Sequence, residues 1–170
     1  RYNGAGWVNV GDAGFSAGLA GHQSLSFAPD GTPYVAYMDN SKSNKATVMR
    51  FVGGSWRVVG SLGFSAGAAQ FLSLSFAPDG TPYVAYRDNG NGGKTVVMRY
   101  NGPDWVEVGS PGGLSAGAAY YQSLSFAPDG TPYVAYRDDD NYSKTTVMRF
   151  VISSWQVVGS AGFSAVGADY

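Results

Sequence analysis

Residues Ser24–Tyr37 read SLSFAPDGTPYVAY, and the same fourteen letters return at Ser73–Tyr86 and at Ser123–Tyr136. The spacing is 49 and then 50 residues. Self-similarity at that period points to a stack of small units, each unable to bury its own apolar surface, and not to one continuous core. Within the stretch, Leu25 and Phe27 alternate with Ser24 and Ser26, the period of a half-buried strand. Pro29-Asp30-Gly31 then supplies the backbone angles of a tight turn between antiparallel strands. Tyr34–Asp39 follows, rich in aromatic and β-branched residues.

Working outward, the polar loop Asn40–Lys45 leads to a third extended segment, Ala46–Val52. Gly53-Gly54-Ser55 turns the chain, and Trp56–Gly60 is the fourth segment. Val48 and Val52 fall on one face of the third segment and Thr47, Met49 and Phe51 on the other, so both faces need neighbours. No segment carries an apolar stripe of helical period and length. Upstream, Arg1-Tyr2-Asn3-Gly4 and Trp7–Gly11 match Arg99–Gly102 and Trp105–Gly109, so residues 1–22 read as the back end of a repeat with one surplus outer strand. Units then span 23–61, 72–110 and 122–160, and 161–170 opens another connection. The chain begins at Arg1 and not Met, an expectation that something upstream is not shown.

The fold expected is all-β: β-propeller blades, four-stranded antiparallel sheets, three per chain. A solenoid of stacked β units is the alternative. The order SLSF–APDGT–PYVAYRD–loop–TVMRY resembles the blades of NHL-type and related β-propellers, in which an aliphatic inner strand, an Asp/Gly turn and a Tyr-Val-rich strand follow one another. The near-identity of the units is similar to recently amplified or symmetrised designed propellers. The WD40 signature and the sialidase Asp-box are both missing. What the resemblance implies is architecture, not activity.

Propellers close with four to eight blades, and three do not close a ring. The expectation is self-assembly, a dimer giving six blades or a trimer nine, with the Trp7 strand exchanged into a neighbouring copy head to tail. The alternative is an excerpt of a longer array.

Composition narrows the function. Eleven Lys and Arg stand against twelve Asp and Glu, a net charge of −1, without the basic excess that nucleic acid requires. No polybasic segment or apolar run suggests a membrane. With no cysteine there is no disulfide or thiolate chemistry. His22, the one histidine, aligns with Phe71 and Tyr121 and reads as packing or channel lining. Glu107, the one glutamate, has no repeat-breaking acid partner in the sequence. No catalytic or metal-binding set emerges and no cofactor is implied, so the sequence-based expectation is a protein that is not an enzyme. The loop Asp138-Asp139-Asp140 has the charge for a hard cation but not the alternating spacing.

Two readings of function remain: a non-catalytic scaffold, or a multivalent carbohydrate-binding lectin with one shallow site per blade or between blades. Candidate ligand-binding residues are Trp7, Trp56, Trp105 and Trp155, with Tyr37, Tyr86 and Tyr136, and the repeated Asp39, Asp88 and Asp138. Each has a structural reading beside it: indoles and phenols packed between blades, carboxylates bonding their own loops.

Overall fold

In the computed structural model, which describes residues 1–168, three four-stranded antiparallel sheets follow one another along the chain. Blade 1 comprises β1 (Ala20–Phe27), β2 (Pro33–Asp39), β3 (Lys45–Val52) and β4 (Ser55–Val58). Blade 2 comprises β5 (Ala69–Phe76), β6 (Pro82–Asp88), β7 (Lys94–Tyr100) and β8 (Trp105–Glu107). Blade 3 comprises β9 (Ala119–Phe126), β10 (Pro132–Asp138), β11 (Lys144–Val151) and β12 (Ser154–Val157). Each sheet pairs its strands in sequence order, and β1, β5 and β9 lie side by side as the inner strands. These are the blades of a β-propeller.

The repeated turn forms as its residues dictate. Ala28 N–H donates to the Thr32 carbonyl at 2.9 Å, and Thr32 N–H donates to Asp30 Oδ1 at 2.8 Å. Gly31 takes φ +81°, a conformation costly for any residue with a Cβ.

The core is two clusters, and each lies between blades. Tyr34, Ala36, Ala46 and Val48 of blade 1 pack with Leu72, Leu74, Val84, Tyr86 and Val96 of blade 2. Ala85 and Val97 of blade 2 pack with Leu124, Val134, Tyr136 and Met148 of blade 3. The price of missing a neighbour shows at β1, where Leu25 is 62% exposed, while its equivalents Leu74 and Leu124 are each 6% exposed. Phe27 is exposed on the same open edge.

Directional bonds repeat at every junction. Ser24 Oγ accepts from Leu74 N–H at 2.9 Å, and Ser73 Oγ accepts from Leu124 N–H at 3.0 Å. The connections reach across too: Ser65 Oγ accepts from Ala46 N–H at 2.9 Å and Ser115 Oγ from Thr95 N–H at 2.9 Å. Gly67 is required here, because a Cβ on it would stand 2.2 Å from Gly90 N in the next blade's loop.

Two expectations change. The inner strands begin three residues earlier than residues 23, 72 and 122, at Ala20, Ala69 and Ala119, because a bulge interrupts the alternation that reveals a strand in sequence. The surplus outer strand at Trp7–Gly11 is not a strand pairing along its length. Residues 1–8 fold back as a short hairpin with one bridge, Tyr2 to Trp7, and Trp7 is 84% exposed. No third strand lies beside it among the described residues to extend the ladder. Of the connection expected over 161–170, Asp169 and Tyr170 lie outside the described residues.

The junctions predict a contrast. Trp105→Phe keeps a ring against Phe64 but removes the indole N–H that bonds Val59 O, and should cost about 1 kcal/mol in urea unfolding. Trp7→Phe should leave the midpoint unchanged; equal losses at both positions would show that the indole bond is not what holds the junction.

Candidate functional site

The ten residues singled out in the sequence go to three kinds of place. Trp56, Trp105 and Trp155 open the outer strands and donate their indole N–H to Val10, Val59 and Val108 carbonyls of the preceding repeat at 2.7–2.8 Å. Trp56 and Trp105 also stack on Phe15 and Phe64, with centroids 4.5 and 4.7 Å apart. Trp7 alone is free of such a junction and stands edge-on to Tyr2.

Tyr37, Tyr86 and Tyr136 are buried, and the hydroxyls of Tyr37 and Tyr136 donate to Met49 and Met148 sulfurs at 3.4 and 3.3 Å. Burial, and then the Asp39 carboxylate, pushes the Tyr37 phenol up to about 12. Burial likewise raises Tyr86 and Tyr136, with Asp88 and Asp138 adding to it.

Asp39, Asp88 and Asp138 are buried at the end of each second strand and hold the short 3-10 turns that follow. Asp39 Oδ1 accepts from Ser41 N–H and Oγ, and its Oδ2 from Thr47 Oγ1. Asp88 reaches further, accepting from Gly67 N–H at 2.9 Å and so tying the incoming connection to the loop. Asp138 accepts from Asn141 and Thr146, while its Oδ1 has no partner among the described residues. Asp139 turns away to Arg137 and Ser143. Among the described residues no cluster of three metal-ligating side chains forms.

Two cavities gather residues that the repeat did not flag. The first lies between blades 2 and 3, at the end carrying the Pro-Asp-Gly turns, and has a volume of about 500 Å³. Tyr83, Arg99 and Glu107 of blade 2 face Asp129, Thr131 and Phe150 of blade 3 across it. Burial raises the Tyr83 phenol above its ordinary value, with the charge of Arg99 pulling the other way. The Thr131 N–H and hydroxyl hold the Asp129 carboxyl below its ordinary value. Glu107 accepts from Gly112 and Gly113 N–H at 3.3 and 2.9 Å, which fixes its carboxylate at the rim. Tyr34, Arg50 and Asp79 occupy the equivalent places one junction earlier, with Val58 in place of Glu107.

The second cavity, about 470 Å³, opens at the opposite end of the inner strands and is lined by His22, Phe71, Tyr121, Gln122 and Arg137. His22, Phe71 and Tyr121 have φ of +53°, +52° and +56°, each in the bulge of its strand. A side chain in that region costs of order 1–3 kcal/mol, and three such sites in register are a sustained constraint. The bulge re-aims each ring out of the alternation, giving a row with centroids 4.9 and 4.7 Å apart. The sequence signal for it was the aromatic or His residue two positions before every SLS, read there as packing or channel lining. For the cleft the signal was the one glutamate in a chain of near-copies.

No protein-family model matches the chain, and no curated protein matches it in sequence. Solved structures do. A fucose lectin from Kordia zhangzhouensis, in complex with methyl-fucoside, superposes with a TM-score of 0.54 at 14% identity, over 82% of this chain and 99% of the lectin's. An endo-1,4-β-xylanase from Bacteroides thetaiotaomicron gives 0.55 at 15% identity, over 86% of this chain and 60% of its own. A thermostable family-43 glycoside hydrolase gives 0.55 at 14%, over 95% and 64%. At such identities the likeness is one of fold. It corrects one expectation: this architecture is carried by glycoside hydrolases as well as by a lectin, so the reading of the chain as not an enzyme is withdrawn.

Raised tyrosines set the alkaline limit of stability. A phenol ionises at 10 in the unfolded chain, and Tyr37 at about 12 in the folded one. The stabilisation is complete below pH 10 and is lost as pH climbs towards 12. Tyrosinate absorbance from the buried set should therefore appear together with loss of circular dichroism. Early, non-cooperative ionisation of all tyrosines would show that these rings are open to solvent.

Proposed function

We propose that the chain is a carbohydrate-binding β-propeller module whose set of blades is continued by further copies of itself. The observation that carries the binding reading is the cleft between blades 2 and 3. It combines a guanidinium, two carboxylates and a phenol with the apolar wall of Phe150. Sugar hydroxyls donate and accept on adjacent carbons, which suits a forked guanidinium beside carboxylates. The C–H face of a pyranose suits an aromatic wall, and the cleft has the volume of a small ligand. Because Tyr, Arg and the turn Asp recur in every blade, each junction offers a version of the site, and weak sites in series sum to useful avidity. The fold likeness to a lectin complexed with methyl-fucoside is consistent with this reading.

Assembly rests on the unsatisfied ends. Tyr34 meets Phe76 edge-on at 4.9 Å and Tyr83 meets Phe126 in the same way, which leaves Tyr133 at one end and Phe27 at the other. The Ser24–Leu74 and Ser73–Leu124 bonds likewise leave Ser123 Oγ and Leu25 N–H as the next complementary pair. Val166 stands where Gly18 and Gly67 stand in the other connections, and a Cβ at Gly67 would meet the next blade's loop backbone. The blade that a second copy would present is blade 1, where a Cβ at Gly18 would stand 3.1 Å from Ser41 N, so the branched side chain of Val166 makes the connection 160–168 a tighter fit there than a glycine. The opening segment of a second copy, which carries Gly18, fits and would replace it.

The binding half is tested by titrating methyl-fucoside, galactose and xylose, read by the fluorescence of Trp155, whose ring is 5.4 Å from Phe150. Saturable quenching is expected with at least one of the three, weakened about tenfold or more in Arg99→Ala. No binding, or binding indifferent to Arg99, would remove the cleft as the site. The assembly half is tested by light scattering after size exclusion. A discrete oligomer is expected, reduced to a folded monomer by Leu25→Lys, whereas a monomeric parent would overturn it.

A further inference from the structure

Glu107 departs from the repeat both in kind and in surroundings. Blades 1 and 3 carry Val58 and Val157 at its place. The connection that follows it is also the longer one: Ser110-Pro111-Gly112-Gly113 stands where Ser61-Leu62-Gly63 stands one repeat earlier. The two departures meet. Gly112 N–H donates to Glu107 Oε2 at 3.3 Å and Gly113 N–H to its Oε1 at 2.9 Å. The carboxylate is thus anchored by backbone on the wall of the inter-blade cleft, and each oxygen has capacity for a second bond.

Charge in that cleft does not balance. One guanidinium, Arg99, stands against two carboxylates, Glu107 and Asp129. The one ion pair among the described residues, Arg137 with Asp139, lies at the opposite end of the sheets, so no salt bridge neutralises either carboxylate. Thr131 N–H donates to Asp129 Oδ1 at 2.9 Å, which favours the ionised carboxyl without cancelling its charge. Nor does Arg99 act on the cleft alone: after the N–H and hydroxyl of Thr81, its charge helps to hold Asp79, on the turn of its own blade, below the ordinary carboxylate value. One junction earlier the same places carry Arg50, Val58 and Asp79, one charge of each sign. The negative excess belongs to the second junction.

Resting on the reading of this cleft as a sugar site, we propose that the junction of blades 2 and 3 selects an amino sugar of the hexosamine class, its ammonium drawn to Glu107 and Asp129. A neutral sugar leaves the excess charge uncompensated. An ammonium supplies one positive charge and three N–H donors with no acceptor, which suits carboxylates with bonding capacity to spare. The hydroxyl oxygens of the same ring accept from Arg99, and its C–H face suits Phe150. Tyr, Arg and the turn Asp are common to both junctions, so Glu107 is the residue that sets the preference.

Calorimetric titration at pH 6, where the amine is protonated, tests it with glucosamine and galactosamine, each beside its parent hexose and its N-acetyl form. At least one amine is expected to bind about tenfold more tightly than both of its neutral counterparts, at one site per chain, with the advantage shrinking as salt rises. Glu107→Gln keeps an acceptor for the glycine N–H groups but removes the charge, and should bring the amine down to the level of its hexose. Asp12→Asn removes the same charge outside the cleft and should leave the preference intact. Equal binding of amine and hexose, or an amine preference that survives Glu107→Gln, would overturn the proposal while leaving the cleft as a site for neutral sugars. A parent protein that binds no sugar of either kind would overturn it together with the sugar reading on which it rests.

Discussion

Everything in this molecule depends on the face of a blade finding another blade. A four-stranded sheet in which Leu74, Val84 and Val96 look one way and Ala85 and Val97 the other has no solvent side except at its ends and outer edge. Burial of such side chains is worth roughly 1.5–3 kcal/mol each, and it is realised only where a neighbour is present. That is why the two cores are both junctions, and why Leu25, the same residue in the same strand, is solvent-exposed at the open end. The hydrogen bonds that Ser24 and Ser73 accept from the next blade's N–H groups and the indole bonds to the preceding carbonyls then fix the register that apolar contact alone would leave loose.

The same constraint decides where chemistry can be placed. Residues facing a neighbour are held by packing, which leaves the two ends of the sheets, where turns and connections emerge, as the places free to vary. At one end the bulge spends conformational energy to bring His22, Phe71 and Tyr121 out of the sheet alternation and into a row. At the other, the rigid Pro-Asp-Gly turn presents Asp129 beside Arg99 and Glu107 of the blade before it. The row spans three blades and the cleft two, so neither exists in one repeat alone.

Much of the architecture was legible because repetition removes ambiguity. Three copies of one alternating pattern, each followed by the same turn residues, leave little choice of strand order, and the strands formed where Leu25, Tyr34 and Val48 place them. The bulge was not legible: a residue in left-handed conformation looks like any other in sequence, and His22, Phe71 and Tyr121 are not types that advertise it. Nor could the sequence say that residues 1–8 would close on themselves through Tyr2 and Trp7, since the letters match a strand whose partners are missing. The candidate site residues were drawn from what recurs, and recurrence selected the framework: buried tyrosines, loop-capping aspartates and junction indoles.

Departures from the repeat carry the opposite information. Val58, Glu107 and Val157 occupy one position, as do Met38, Arg87 and Arg137, and Gln23, Leu72 and Gln122. A blade tolerates either member at each place, so packing does not dictate the choice, and of the polar members Glu107, Arg137, Gln23 and Gln122 line the two cavities. In a chain of near-copies, a charge that the fold does not need and that lies on a cavity wall is the most direct mark of a ligand. Framework and variation are here written at different positions of the same fifty-residue unit: what repeats holds the blades together, and what differs includes the polar side chains on the walls of the two cavities.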